Sequence, residues 1–213
     1  MRVWDAPTRL FHWAIVILIG VSWLSIHNGW MLIHFLSGYS ILTLLLFRIT
    51  WGFVGSETAR FASFLGSPLA ALRHLSHLRR REPDDQIGHN AAGGWMVLVM
   101  LLMLAVQVGT GLCANDDVLT EGPLAEYVGK KLSDRLSIIH ALNFKLILAV
   151  IVLQLLAIGG YAVLKGHNLV RPMVTGRKRL PAGLRAPRMA NPLLALAVLA
   201  CAVGVVLSFA TAP

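Results

Sequence analysis

The sequence predicts an all-α integral membrane protein, and two features lead to that fold class. Of its 213 residues, 56% are hydrophobic and only 14% are charged, whereas a soluble domain carries about 25% charged residues. The apolar residues are also gathered into five long runs, each near the roughly 20 residues that a helix needs to cross a bilayer. These features exclude a disordered chain, a disulfide-stabilised scaffold and an ordinary soluble enzyme.

Each apolar run is predicted to form one membrane span. In chain order, the spans cover about residues 10–28, 31–54, 91–113, 136–164 and 193–210. The first span occupies the position of a signal peptide, but no small-residue cleavage site follows it, so we expect an uncleaved helix. The fifth begins after Asn191-Pro192, a capping residue and a first-turn proline, and carries no histidine or charge. We expect it to pack on the other spans or on a partner subunit.

The connections between spans divide the chain further. The link 55–88 has leucines at helical spacing from Leu65 to Leu78, which predicts an amphipathic helix on the membrane surface. The loop Ala114–Arg135 is acidic and is expected to dock an external partner. We expect residues 1–179 to form one transmembrane domain, followed by a linker and an extra helix in 180–213.

The distribution of Lys and Arg predicts the orientation. With the N-terminus in the cytoplasm, fifteen basic residues fall on the cytoplasmic side: Arg2, Arg9, Arg48, Arg60, Arg73, Arg79, Arg80, Arg81, Lys165, Arg171, Arg177, Lys178, Arg179, Arg185 and Arg188. Only Lys130, Lys131 and Arg135 fall on the other side, among five acids. This asymmetry follows the positive-inside rule. It accounts for the net charge of +9 without nucleic acid, and it favours contact with anionic membrane lipid. We therefore expect a multi-pass protein of the bacterial inner membrane, with a periplasmic C-terminus.

Four tryptophans fall near predicted span ends: Trp4, Trp30, Trp51 and Trp95. Tryptophan is enriched where a membrane protein meets the headgroups, because its ring is apolar and its N–H is polar. We therefore expect all four to act as interfacial anchors.

Histidine is the residue type that could hold a metal here. Cys113 and Cys201 belong to no CxxC or CxxCH motif, which excludes a cysteine zinc cluster and a covalently attached c-type haem. An ionisable side chain inside a membrane helix needs a partner or a function. His12, His34 and His140 lie inside or at the start of spans, and the last two begin spans that run in the same direction.

Two imidazoles that face each other across a helical bundle can bind one haem iron at its two axial positions. The spacing in span 2 fits this chemistry. Gly38 is one turn after His34 and would let a macrocycle approach the backbone. Arg48 follows His34 by fourteen residues, nearly four turns and about 21 Å along the same face. Arg48 could pair with haem propionates or anchor the positive-inside face, and Arg9, one turn before His12, has the same two interpretations.

The corresponding offset in span 4 identifies an incomplete second site. Fourteen residues after His140 the chain has Gln154, where a histidine would face His12 and hold an inner haem. An amide oxygen is a weak ligand for haem iron compared with imidazole. One site, His34 with His140, is therefore complete, and the site near His12 is impaired.

Several motifs occur in an order and spacing that resemble a known family. They are Val3-Trp4-Asp5, Arg9 to Trp13, Ile33 to Gly38, Phe47 to Gly55, Ile87 to Asn90, Asn168-Leu169-Val170 and Thr175 to Lys178. The set, which covers about Arg2 to Arg179, resembles the prokaryotic cytochrome b561 family, in particular the b-type cytochrome subunits of nickel-iron hydrogenases. The resemblance implies a four-helix bundle with two b haems, to which the chain adds the fifth span.

The resemblance also implies a function and a ligand set. Family members carry electrons between a periplasmic partner, such as a hydrogenase or a c-type cytochrome, and the membrane quinone pool. Their haem ligands map onto His34 and His140 for the outer haem and onto His12 and position 154 for the inner one. His89 matches a family histidine without an assigned role, and Lys145 is a charge inside span 4.

Three functions remain open at this point. The first is electron transfer, in which case the chain is an electron-transfer protein or subunit rather than a self-standing enzyme. The second is a haem enzyme that acts on a small molecule such as superoxide, attracted by Lys130, Lys131 or Lys145. The third is a degenerate subunit that anchors a redox complex in the membrane.

Overall fold

The fold is helical. We describe a computed structural model of the chain for residues 1–69, 86–118 and 120–210. Five long helices are α1 (Ala6–His27), α2 (Met31–Val54), α3 (Ala91–Leu112), α4 (Lys130–Gly160) and α5 (Pro192–Ala210). Within the described residues no β-strand forms, and the two β-bridges, Arg2 with Arg177 and Asn115 with Glu121, are isolated.

Four of the five helices are long and apolar enough to cross a membrane: α1, α2, α3 and α4. The fifth, α5, is also apolar but shorter. The all-α membrane fold class is therefore confirmed. The bounds of α2 agree with those predicted, whereas α4 begins at Lys130 instead of Leu136. The charged turn before Leu136, which the sequence placed in the outer loop, is helical.

Side-chain caps explain where three of these helices begin. Asp5 Oδ1 accepts the backbone N–H of Thr8 at 2.7 Å, and Asn90 Oδ1 accepts that of Gly93 at 2.7 Å. Asn191 caps α5 in the same way at 2.9 Å. Such a cap satisfies one of the N–H groups that the first turn of a helix leaves without a partner. In an apolar solvent these groups have no water to bind instead.

The chain packs as two compact units. The first unit comprises Met1–His12, Arg48–Val99 and Ile151–Val198, and the second comprises Trp13–Phe47, Met100–Val150 and Leu199–Pro213. Each of the five long helices divides between both units, so each unit combines segments that are distant in sequence.

In the first unit, the N-terminal segment lies antiparallel to residues 176–178. The Val3 N–H donates to the carbonyl of Gly176 at 2.8 Å, and the Lys178 N–H donates to that of Met1 at 3.0 Å. Gly176 adopts a φ of 73°, in the left-handed region. A Cβ atom there would lie 2.9 Å from the carbonyl oxygen of Trp4. Glycine is therefore required by both conformation and space.

The prediction that all four tryptophans are interfacial anchors is wrong for two of them. Trp51 is 0% exposed and Trp4 is 6% exposed. The Trp51 indole N–H donates to Asp5 Oδ2 at 3.1 Å, so it pairs with the capping carboxylate of α1 rather than with headgroups. Trp30, which is 55% exposed, remains a candidate anchor.

The link between α2 and α3 is described only in part. It contains a 3₁₀ turn, Glu57–Ala59, and a short helix, Phe61–Phe64. The amphipathic helix predicted between Leu65 and Leu78 falls mostly on residues 70–85, which lie outside the described residues.

Candidate functional site

The second unit brings the side chains of His34 and His140 together. Their ring centroids are 6.3 Å apart, and the ring planes lie at 79° to each other. His34 belongs to the first turns of α2, and His140 lies in the third turn of α4. Both side chains are half-buried.

The ring of His34 is oriented by Ser22 on α1. Its Nδ1 atom lies 3.0 Å from the Ser22 carbonyl oxygen and 3.1 Å from the hydroxyl oxygen. A carbonyl oxygen can only accept a hydrogen bond, so the proton of the neutral ring is on Nδ1. The lone pair of His34 is therefore on Nε2, which is the nitrogen available to bind a metal.

The ring of His140 has the same tautomer, which is set by Gln107 on α3. His140 Nδ1 donates to the Gln107 carbonyl at 2.9 Å, and His140 Nε2 lies 3.1 Å from the Gln107 side-chain amide nitrogen, which donates to it. The Gln107 amide is in turn oriented by Asn143, whose Nδ2 donates to Gln107 Oε1 at 2.7 Å. Metal-binding histidines characteristically donate their second N–H to a carbonyl, and that bond orients the ring.

Two glycines accommodate these rings. A Cβ atom at Gly111 would lie 2.9 Å from Cε1 of His140, so α3 can approach that ring only with glycine there. A Cβ atom at Gly38 would meet nothing within 4 Å. The backbone beside His34 thus borders open space rather than another helix. Open space beside Gly38 is what the sequence predicts, since a haem macrocycle would approach the backbone there.

The pair fits haem iron better than other metals. Two imidazoles bound at about 2 Å to opposite sides of one metal ion have ring centroids about 6 Å apart. The observed separation of 6.3 Å agrees with that value. Zinc needs three or four protein ligands, and no group of three or more His, Cys, Asp or Glu residues suited to a metal occurs in the described ranges. Two facing imidazole rings with open space beside Gly38 would suit a haem.

In the first unit, Arg48 is a buried cation. It is 2% exposed, and its guanidinium carbon lies 5.1 Å from the centroid of the Phe61 ring. Among the described residues, its Nη1 atom is buried without a hydrogen-bond partner. Asp5 is the acid that acts on it electrostatically, but both Asp5 oxygens already accept bonds from Thr8 and Trp51. An unpaired buried charge is costly, so Arg48 suits an anionic ligand such as a haem propionate.

His89 lies in the same unit, just before α3. Its ring lies between those of Trp4, at 4.6 Å, and Phe64, at 4.9 Å. Burial first, and the nearby Arg48 and His12 in addition, lower the pKa of His89 to about 3. His89 is therefore neutral at physiological pH. Its Nδ1 atom is buried and, within the part of the chain that the structure describes, has no hydrogen-bond partner.

The remaining predicted positions of the inner site lie in this unit. His12 and Gln154 are half-buried. Arg9 has a structural role: its Nη1 donates to the carbonyl of Val174 at 2.5 Å, and its Nε donates to that of Asp5 at 3.3 Å. These bonds favour the anchoring interpretation of Arg9 over the propionate one.

The basic residues proposed to attract an anion have other environments. Lys130 forms ion pairs with Asp117 and Asp134, the second at 2.8 Å. Lys145 is exposed on α4. The acids of the outer loop therefore neutralise Lys130, and the enzyme hypothesis loses one of its three anion-attracting residues.

Sequence reasoning missed the residues that orient the two imidazoles. Ser22, Gln107 and Asn143 are polar residues within apolar helices, and Gly111 follows Gln107 by one turn. Polar groups in a membrane helix almost always have a partner there, so their presence was a usable signal. What it could not supply was the pairing, because Gln107 and His140 lie on different helices.

Comparison with known families gives one match. The family model described as prokaryotic cytochrome b561 matches residues 3–176. Comparison with curated proteins and with solved structures gives no match. The matched range includes His12, His34, Arg48, His140 and Gln154, and it ends before α5.

Proposed function

Because the chain belongs to the prokaryotic cytochrome b561 family, a family of haem-b-binding membrane proteins of electron transfer, we propose that it carries electrons between a periplasmic redox protein and the membrane quinone pool. A hydrogenase-like protein or a c-type cytochrome is the proposed partner. We also propose that it lies in the bacterial inner membrane with its N-terminus in the cytoplasm, as the distribution of Lys and Arg favours.

The proposed electron carrier is a haem b held by His34 and His140. The single observation that supports it most is the pair of rings at 6.3 Å with Nδ1 of each facing a backbone carbonyl. A bound haem would supply an iron that gains and loses one electron. The chain's own contribution is to hold both imidazoles in the tautomer with the lone pair on Nε2. In His140 this lone pair accepts a bond from the Gln107 amide, which a bound metal would have to displace. With both histidines bound, the iron of a haem here would have no coordination position left for a small molecule.

The inner site is proposed to be weaker. His12 would be its histidine ligand, Gln154 occupies the facing position predicted for the second, and Arg48 would hold a propionate. The buried and unpartnered Nη1 of Arg48 supports that role. We propose that this end of the protein binds either a second haem of altered ligation or a quinone.

Haem content per polypeptide is the test of the ligand set. The purified protein is expected to contain haem b by pyridine haemochrome assay and to show one low-spin bis-histidine haem in its native absorption spectrum. His34→Ala or His140→Ala is expected to abolish that low-spin haem. His27→Ala is the matched control, since this exposed histidine bonds only the carbonyl of Trp23 one turn earlier. Retention of the low-spin bis-histidine spectrum in both ligand variants would refute the assignment. Quinol-driven haem reduction tests the function itself.

A second experiment tests the inner site. Gln154→His is expected to add a low-spin haem or to convert a high-spin haem to low spin, because imidazole is the stronger ligand. Gln154→Leu, which removes the amide without adding a ligand, serves as the control. An unchanged spectrum in Gln154→His would refute the proposed role of position 154. Carbon monoxide binding to the reduced wild type would instead favour the haem-enzyme hypothesis, and the absence of any haem would rule out every redox function.

A further inference from the structure

The first unit contains a basic cleft that the proposed electron transfer does not use. The cleft encloses about 820 Å³ and lies between the N-terminus and the segment 166–179. Four basic residues line it: Arg171, Arg177, Lys178 and Arg179. The Lys178 ammonium already donates to the carbonyl of Gln86 at 2.8 Å. Among the residues that the structure describes, no acidic residue belongs to the lining.

Backbone hydrogen bonds hold the walls of this cleft. The Met1 amino group donates to the carbonyl of Lys178 at 2.7 Å, and Lys178 N–H returns a bond to Met1 at 3.0 Å. The short helix Val170–Thr175 forms the other wall and ends at Gly176. The cationic groups are thus presented by a defined backbone arrangement rather than by a loose chain end.

The three arginines of the cleft are exposed and available for a ligand. Within residues 1–69, 86–118 and 120–210, the structure gives no hydrogen bond or ion pair to the guanidinium groups of Arg171, Arg177 or Arg179. Guanidinium groups bind phosphate oxygens through paired N–H donors. Three guanidinium groups around one cleft favour a phosphate group over a single carboxylate, because a phosphate offers more acceptor oxygens.

Exposed valines flank the cleft-lining residues in sequence. Val163 is 77% exposed, Val170 is 47% exposed and Val174 is 56% exposed. A phosphate-binding cleft beside an apolar surface matches a phospholipid, whose headgroup is anionic and whose chains are apolar. We propose that this cleft binds the phosphate headgroup of an anionic phospholipid, with the acyl chains against the valines.

The test counts bound lipid on the haem-loaded full chain in neutral detergent by native mass spectrometry. Cardiolipin and phosphatidylglycerol are expected to bind the wild type, and phosphatidylcholine is not. Each basic residue near an anionic lipid surface contributes about fivefold to affinity. Arg171→Gln combined with Arg177→Gln is therefore expected to weaken binding about 25-fold. Arg185→Gln combined with Arg188→Gln makes the same change in charge outside the cleft and is expected to leave binding unchanged.

Haem absorbance shows whether each variant is folded, and Arg179→Gln alone provides a second, milder variant with an expected fivefold loss. Equal lipid binding by the cleft variants and the wild type would overturn the proposal. So would equal losses in the Arg185 and Arg188 control, because general charge would then explain the binding. Displacement of lipid by millimolar inorganic phosphate would assign the cleft to a free phosphate compound instead.

Discussion

His34 and His140 each have a neighbouring histidine ring and an Nδ1 atom bonded to a backbone carbonyl. His27 also bonds a carbonyl through Nδ1, but it is exposed and its ring contacts Trp23. At the scale of single residues, therefore, the two proposed ligands differ from His27 by their partners as well as by their burial.

Gly111 offers a test of the His140 position. Alanine is favoured over glycine in a helix by about 1 kcal/mol, but a Cβ atom at Gly111 would lie 2.9 Å from the His140 ring. We expect Gly111→Ala to move that ring and to shift the haem absorption and electron paramagnetic resonance spectra. Gly109→Ala, where a Cβ atom would meet nothing within 4 Å, is expected to leave both spectra unchanged. Identical spectra in the two variants would contradict the close approach of α3 to His140.

His89 predicts a dependence of stability on pH. Its pKa is lowered to about 3 in the folded chain, against about 6.5 when unfolded. As pH falls from 6.5 towards 3, only the unfolded chain takes up this proton, so the folded state loses stability, by up to about 2 kcal/mol at pH 5. Above pH 6.5 the contribution is absent. His89→Gln is expected to reduce the drop in unfolding temperature between pH 7.5 and 5, whereas His27→Gln is not. The prediction fails if wild type and His89→Gln lose the same amount.

At the scale of elements, local pattern predicted much of the fold. Apolar length gave the four membrane-crossing helices, because a bilayer imposes both a length and an apolar composition, and Asn191-Pro192 marked the start of α5. The burial of Trp51 could not be predicted, because its partner Asp5 is 46 residues away and no periodicity connects them. The haem site was likewise predictable only in part. Spacing selected His34 and His140, but the residues that orient their rings, Ser22 and Gln107, are seen only in the folded chain.

The docking of the N-terminal segment on residues 176–178 is testable with two glycines. Gly166 and Gly176 both have positive φ, at 71° and 73°, a conformation that costs a non-glycine residue about 1–2 kcal/mol. Only Gly176 also lies against another segment, since a Cβ atom at Gly166 would meet nothing within 4 Å. Gly176→Ala is expected to lower the unfolding temperature by more than Gly166→Ala does. Equal losses would mean that the Trp4 contact at Gly176 has no energetic weight.

At the scale of the whole molecule, motifs from distant parts of the chain come together in one unit. Asp5, Trp51, His89 and Gly176 belong to four different motifs, and all contact the segment Trp4–Arg9 or lie within it. The family resemblance rests on these motifs. Packed together, they form the surroundings of the buried Arg48, with which Asp5 and His89 interact electrostatically. Sequence order alone could not reveal this, because residues far apart in the chain supply the contacts.

The orientation of the whole chain is a prediction that cysteine labelling can decide. Fifteen of the nineteen basic residues are expected on the N-terminal side of the membrane, and cytoplasmic segments retain Lys and Arg. In a background of Cys113→Ser and Cys201→Ser, Tyr127→Cys would report the outer loop, because Tyr127 is 77% exposed. Arg185→Cys, at an exposed residue between the short helix Val170–Thr175 and α5, would report the opposite side. A membrane-impermeant maleimide is expected to label Tyr127→Cys in intact spheroplasts and Arg185→Cys only after lysis. The reverse pattern would place the acidic loop in the cytoplasm, where no periplasmic redox partner could reach the His34 and His140 end.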